Sequence, residues 1–200
     1  MKEFWDERFT KDEFIYGTKP NSFLTSELEQ LTAKGNALFA LEGEGRNACY
    51  ASSLGWNVEA FDFSEAGKEK ALKLCESYNT SIDYKISNAE DFEFGENKYD
   101  LVVLIYAHLH PSFRNKIHQK IITALRPGGK LILEGFHPLQ LKHNYTSGGP
   151  KNLEMLYTLD MMKTDFKDLS SIKGAELEIE LSEGNYHRGK GFVTRFTGVK

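Results

Sequence analysis

Two glycines, Gly43 and Gly45, follow an apolar run from Ala37 to Leu41 and precede a small-residue segment, Ala48 to Leu54, closed by Gly55. A glycine turn between a buried strand and a helix lets backbone approach a ligand closely and aims free N–H groups at it. About 20 residues further on, Asp62 ends a second apolar run, Val58 to Asp62, where a carboxylate can accept hydrogen bonds from both hydroxyls of a ribose. The pair points to a nucleoside-bearing ligand. Asn47 replaces the third glycine of the dinucleotide pattern GxGxxG, so that pattern is incomplete. The plain structural alternative is a tight turn with Asp62 as a strand-end acid.

Around this core stand further candidates. Arg46 lies beside the turn, where a guanidinium can pair with a ligand carboxylate; the alternative is a solvated arginine at a helix start. Tyr16 can close over the ligand from the N-terminal segment or pack as one more aromatic. His108 and His110 follow a strongly apolar strand, at the edge where open α/β sheets bind ligands. Their imidazoles titrate near neutrality, so His108 is the candidate base for removing a proton from a nucleophile, against an orienting hydrogen bond. A His-x-His metal pair is a further reading, but no cysteine or third histidine stands at ligand spacing, so no metal is expected. His137, His143, Tyr145, Tyr186 and His187 come from loops that can reach the same edge.

The elements that must position these residues alternate in type. After the first two strands, Ser64 is placed to cap a helix whose apolar side is Ala71, Leu74, Cys75 and Tyr78. Ile82 to Ile86 is a weaker strand, Tyr99 to Tyr106 a fully buried one, and Phe113 to Leu125 a helix with Ile117, Ile121, Ile122 and Leu125 on one side. Arg126-Pro127-Gly128-Gly129 ends that helix, and Lys130 to Phe136 is the fifth strand. Such alternation is the signature of βαβ units and a parallel sheet. His137 to Asn152 has no apolar period and reads as a long loop and lid candidate. Leu153 to Leu169 reads as helical, and Glu176 to Leu181 with Phe192 to Gly198 as two antiparallel strands joined by Gly184 to Gly191. The chain divides into an N-terminal helical cover (1–36), a core (37–136) and a lid, helix and hairpin (137–200), within a single domain.

Bulk properties exclude whole classes. Twenty-nine acidic and 25 basic side chains give a net charge of −4, without the basic excess that nucleic acid binding requires. The longest apolar run, Leu101 to Ala107, is far short of the ~20 residues of a membrane span, and the N-terminus is charged. Cys49 and Cys75 form no CxxC pair and read as unpaired, which suits a reducing, cytoplasmic compartment.

Read together, several strings resemble the class I S-adenosylmethionine-dependent methyltransferases: Glu42-Gly43-Glu44-Gly45-Arg46-Asn47-Ala48, Asp62-x-Ser64, Asn88-Ala89-Glu90-Asp91-Phe92, Tyr99-Asp100-Leu101-Val102-Val103, Leu125-Arg126-Pro127-Gly128-Gly129 and Leu133-Glu134-Gly135-Phe136. Trp5-Asp6-Glu7-Arg8-Phe9, Tyr16-Gly17-x-x-Pro20-Asn21-x-Phe23-Leu24, Gly148-Gly149-Pro150 and Glu183-Gly184-x-Tyr186-His187 are similar to the small bacterial group related to tellurite-resistance methyltransferases. The resemblance spans nearly the whole chain. It implies a Rossmann-like, doubly wound α/β sheet of seven strands, mostly parallel with an antiparallel C-terminal strand and helices on both faces.

The resemblance also assigns roles. Gly43 and Gly45 would pass under the methionine part of S-adenosylmethionine, Asp62 would hold the ribose and Phe63 would lie against adenine. Asn88, Ala89 and Glu90 would sit at the adenine edge, and Tyr106 with Ala107 beneath the sulfonium. Two positions depart from the pattern: the family's first-strand acid falls on Phe39 and its first glycine on Leu41, leaving Glu42 or Glu44 as substitutes for the missing anchor. Asn88 stands where aspartate is common, with a carbonyl that can accept from the adenine amine.

The implied reaction is direct displacement, a small-molecule nucleophile taking the methyl and S-adenosylhomocysteine leaving, which needs positioning more than acid or base. The enzyme would work as a monomer or homodimer. Tyr106-Ala107-His108-Leu109 replaces the Asn-Pro-Pro-Tyr type sequence linked to amino methylation of bases or glutamine. The rivals are an NAD-dependent oxidoreductase and a nucleotide-binding module without catalysis.

Overall fold

Short apolar runs bounded by glycine turns become strands, and the segments between them, polar on one side, become helices. The structure is a computed structural model describing residues 2–200, with side chains from Trp5 onward. The elements are α1 (Lys2–Phe9), α2 (Ser22–Glu29), β1 (Asn36–Ala40), α3 (Arg46–Ser53), β2 (Asn57–Asp62), α4 (Glu65–Ser77), β3 (Asp83–Ile86), β4 (Tyr99–Ile105), α5 (Pro111–Ala124), β5 (Leu125–Phe136), α6 (Leu139–Lys142), α7 (Leu159–Asp165), β6 (Ser170–Glu183) and β7 (His187–Val199). One sheet of seven strands runs in the order β3-β2-β1-β4-β5-β7-β6. β1 to β5 pair in parallel, and β7 inserts antiparallel between β5 and β6. The expected α/β sheet, mostly parallel with an antiparallel C-terminal strand, is present.

Alternation along the strands divides the core between two faces. Leu38, Val102, Leu104, Leu131 and Leu133 pack with Ile117 and Ile121 of α5 and with Met162 and Phe166 of α7. Ala37, Phe39, Val58, Leu101, Val103 and Ile132 pack with Leu24 and Leu28 of α2, Ala48 and Ala51 of α3 and Ala71 of α4. Helices therefore cover both faces. Asn21 and Ser64 cap α2 and α4 by accepting from the N–H groups of Leu24 and Gly67.

Four expectations are corrected. Cys49 and Cys75 are joined by a disulfide between α3 and α4, so the cysteines no longer argue for a reducing compartment. The fifth strand begins at Leu125 rather than Lys130, pairing with Tyr99 across a register shift. The helix expected over Leu153–Leu169 is interrupted: Leu153–Met155 is a 3-10 turn, and α7 starts after the Thr158 cap. The reason is Tyr157, whose N–H donates to Phe136 O and whose buried hydroxyl donates to Ala107 O (2.8 Å) while accepting from Leu109 N–H (2.7 Å). Helical geometry there would break those bonds. The long loop expected over His137–Asn152 contains α6 and is fastened to β7: Gln140 donates to Ser147 Oγ and Gly148 O and accepts from Phe192 N–H. The terminal strands also outrun their sequence signal. β6 is the sheet edge, where Glu176, Glu178 and Glu180 charge the outward row, and its turn to β7 is shorter than Gly184–Gly191.

Candidate active site

From β1 the chain turns to β2 and β3, and from β4 to β5 on the other side, so the crevice at the carboxyl ends of β1 and β4 is the switch point where such sheets bind ligands. Both strands leave it through strained backbone. Leu41 after β1 and Tyr106 after β4 each have φ +55°, a left-handed conformation that costs a non-glycine residue ~1–3 kcal/mol. Leu41 thus holds the shape that glycine supplies in the family pattern.

The glycine turn follows. Gly45, at φ +83°, opens α3, and a Cβ there would lie 2.4 Å from Ala71 Cβ, so only glycine lets α3 and α4 approach this closely. Glu42 Oε1 accepts the first free N–H groups of α3, from Asn47 (2.9 Å) and Ala48 (2.8 Å). Burial nevertheless pushes its pKa up to about 7, with Asp62 adding repulsion. Asp62 ends β2, accepting from Gly43 N–H (3.2 Å) and Ser64 N–H (3.1 Å), and burial raises it to about 6. Two carboxylates, Asp62 buried and Glu42 half-buried, therefore face one crevice. Glu44 cannot join them, because it pairs with Lys70 (2.8 Å) and accepts from Ile15 N–H (2.8 Å), pinning the N-terminal segment.

Several expected binders are otherwise engaged. Arg46 is buried rather than solvated, and its guanidinium pairs with Glu183 (2.8 Å) and donates to Lys19 O (3.3 Å). It is not held out for a ligand carboxylate. The Asn88 side-chain oxygen accepts from the N–H groups of both Glu90 and Asp91, so the turn itself uses the carbonyl expected to meet adenine. Phe63 is half-buried after β2, Ala89 is buried in the core and Glu90 is exposed.

His108 is held by backbone at both ring nitrogens. Its Nδ1 donates to Met155 O (2.7 Å), so Nε2 is the acceptor for Phe136 N–H (3.1 Å). Burial pushes its pKa down to about 4. With both nitrogens bonded to backbone, it clamps β5 to the 3-10 turn, which supports the orienting role that stood as the alternative to a base. His110 caps α5 by accepting from Ser112 N–H. His137, His143 and Tyr145 make their contacts with Phe192, Glu176 and Glu178, along the hairpin.

A polar cluster that the sequence reading did not assign lines the mouth. Glu134, alone among the apolar residues of β5, accepts from Tyr106 OH (2.8 Å), Asn21 Nδ2 (2.7 Å) and Arg195 Nε (2.5 Å). Asn21 N–H in turn donates to Asn47 Oδ1, and Asn21 Nδ2 also reaches Glu183 (3.2 Å). A carboxylate inside the otherwise apolar run from Leu131 to Phe136 was the visible signal. Beside it the His187 ring sits 4.5 Å from Tyr106 and 4.4 Å from Tyr16, centroid to centroid. Tyr16 itself accepts from Arg8 (3.0 Å), and burial raises its pKa above the ordinary value. Over the Asp62 side lies α1: Ser64 Oγ donates to Asp6 (2.6 Å), and Phe9 is so close to Gly43 that a Cβ there would meet it at 3.1 Å.

Comparison with known proteins agrees with this layout. Residues 41–129 match the family model described as a methyltransferase domain. A ubiquinone/menaquinone biosynthesis C-methyltransferase of Hydrogenovibrio crunogenus is 32% identical over 56 residues, 28% of this chain and 22% of the relative. The match thus spans about a fifth of that curated relative. The structure of TehB from Haemophilus influenzae is similar at a TM-score of 0.70 with 15% identity, covering 100% of this chain and 66% of that one. Magnesium protoporphyrin IX methyltransferase of Synechocystis PCC 6803, solved with bound SAH, gives 0.69 and 13%, covering 100% and 97%. Among the described residues no helix is long and apolar enough to cross a membrane. The glycine turn thus lies inside the matched methyltransferase domain, and the fold of the whole sheet is shared with these solved methyltransferase structures.

Proposed function

We propose that the protein transfers the methyl group of S-adenosylmethionine to a small nucleophile. The observation that carries this reading is Glu42, whose carboxylate occupies the α3 N–H groups that a dinucleotide's pyrophosphate would need. With Asp62 beside it and Arg46 already paired with Glu183, the crevice favours a nucleoside with a cationic tail over one with phosphates. That disfavours the NAD reading and fits S-adenosylmethionine. Asp62 would hold the ribose, the second oxygen of Glu42 the ammonium, and Tyr106 the floor beneath the reacting methyl. When bound, the cofactor supplies a methyl already activated on a sulfonium. The chain's own task is then to position the acceptor and exclude water. Tyr16, Tyr106, Phe136 and His187 crowd the mouth, which supports a small acceptor over a macromolecular one.

Calorimetry with S-adenosylmethionine and with NAD tests the reading: the first should bind and the second should not. Asp62→Ala should weaken binding by about 1.5–3 kcal/mol, the range for hydrogen bonds to a charged group. Binding without release of S-adenosylhomocysteine, across a panel of small nucleophiles, would favour a binding module instead.

A further inference from the structure

His187 is the one imidazole at the mouth whose second nitrogen is uncommitted. Its Nδ1 lies 3.2 Å from Glu183, and because a carboxylate only accepts, Nδ1 carries the proton and Nε2 the lone pair. Among the described residues Nε2 makes no hydrogen bond, although the residue is 95% buried by its 5% exposure. Gly148 packs against that edge of the ring: a Cβ there would lie 2.6 Å from Cδ2 and 2.9 Å from Nε2, so a side chain at this position would cover the lone pair and glycine does not. The ring is in contact with Tyr106 at the switch point and with Tyr16 on the other side.

We propose that His187, oriented by Glu183, is the proton acceptor for a neutral, X–H bearing methyl acceptor in this pocket. The proposal rests on the methyltransferase reading above. The lone pair of X forms the bond to the methyl carbon as the sulfonium's S–C bond breaks and its electrons return to sulfur. The X–H proton passes to Nε2, and the imidazolium formed is balanced by Glu183 until it is shed to water. The charges facing the ring are Glu183 of β6, Arg46 of α3 and Arg8 of α1, with Tyr16, Tyr106 and Tyr186 around them. Both arginines already have partners, Glu183 and Tyr16 OH, while Glu134 adds a second carboxylate beneath Tyr106. An anionic acceptor finds no free cation there. This pocket suits a neutral one.

The test uses the full chain with S-adenosylhomocysteine release as readout, 2-mercaptoethanol as neutral probe and iodide as anionic probe. His187→Gln should cut turnover of the thiol by ~10²–10⁴-fold, the range for general base catalysis, and that of iodide by less than about tenfold. Cofactor affinity by calorimetry should stay within about threefold. The wild-type rate should fall as pH drops through the pKa of His187, which burial sets below the ordinary histidine value against the opposing pull of Glu183, and the variant should lack that limb. Equal losses for both probes, or an unchanged rate, would overturn the proposal while leaving the methyltransferase reading standing. Failure of the wild type to bind S-adenosylmethionine would sink that reading instead. Should neither probe turn over, nitrogen NMR of His187 decides, and a proton resident on Nε2 overturns the assignment.

Discussion

Glu42 and Asp62 show how much a carboxylate gives up to sit in a dry crevice. Folding raises Glu42 from its ordinary value near 4.5 to about 7, so the ligand-free native state holds a proton that the unfolded chain releases across that window. A group raised in this way makes the native state less stable as pH climbs from about 4.5 to 7, and Asp62, raised to about 6, acts in the same direction. A cationic ligand reverses the shift. S-adenosylmethionine should therefore bind with net proton release near pH 6.5 and more tightly as pH rises to about 7, and calorimetry in two buffers of different ionisation heat measures that release. Glu42→Gln should flatten the upper part of the slope, and pH-independent affinity in the wild type would remove Glu42 from the site. The positions of Asp62 and the glycines were legible because they depend on local spacing along one βα turn. The contacts of Arg46 and His108 were not legible because their partners, Glu183 and Met155 O, lie far away in sequence. Nothing near either residue announces those bonds.

Among the elements, α3 and α4 are tied twice, by the close approach at Gly45 and Ala71 and by the disulfide between Cys49 and Cys75. The ring of chain so closed has a sequence separation of 26 and includes Asp62. On chain-entropy grounds such a closure stabilises the native state by about 3–4 kcal/mol. Adding a phosphine reductant should lower the Tm by roughly 6–16 °C for a chain of this length. Two titratable thiols in the unreduced, unfolded protein, with a Tm indifferent to reductant, would show that the cross-link is absent in solution. The strand and helix series through β4 was legible because period and glycine punctuation agree there. Beyond β5 they part company. Tyr157 imposes an extended step inside a helix-like pattern, and edge strand β6 hides its length behind solvent-facing glutamates.

At the scale of the whole molecule, the two ends of the chain meet over the sheet's carboxyl edge. Asn185 N–H donates to Ile15 O (3.1 Å), and Gly184 fits so tightly that a Cβ would lie 2.4 Å from that same oxygen. Composition suggested a division into cover, core and hairpin, but it could not say that first and last segments share a contact. Kinetics should register that contact. With Phe9 laid against the glycine turn and Asp6 bonded to Ser64, release of S-adenosylhomocysteine should require α1 to lift, and that step is expected to set the turnover rate. Rapid mixing should then give a burst of methylated product equal to the enzyme present, followed by a slower linear phase. Phe9→Ala, giving up ~1.5–3 kcal/mol of burial, should speed that linear phase about tenfold or more and shrink the burst. A progress curve linear from the first turnover would mean that the helix opens faster than the chemistry. If the burst is found, the enzyme works fastest where its product is drawn away, and a cell that lets S-adenosylhomocysteine accumulate slows it without any separate regulator.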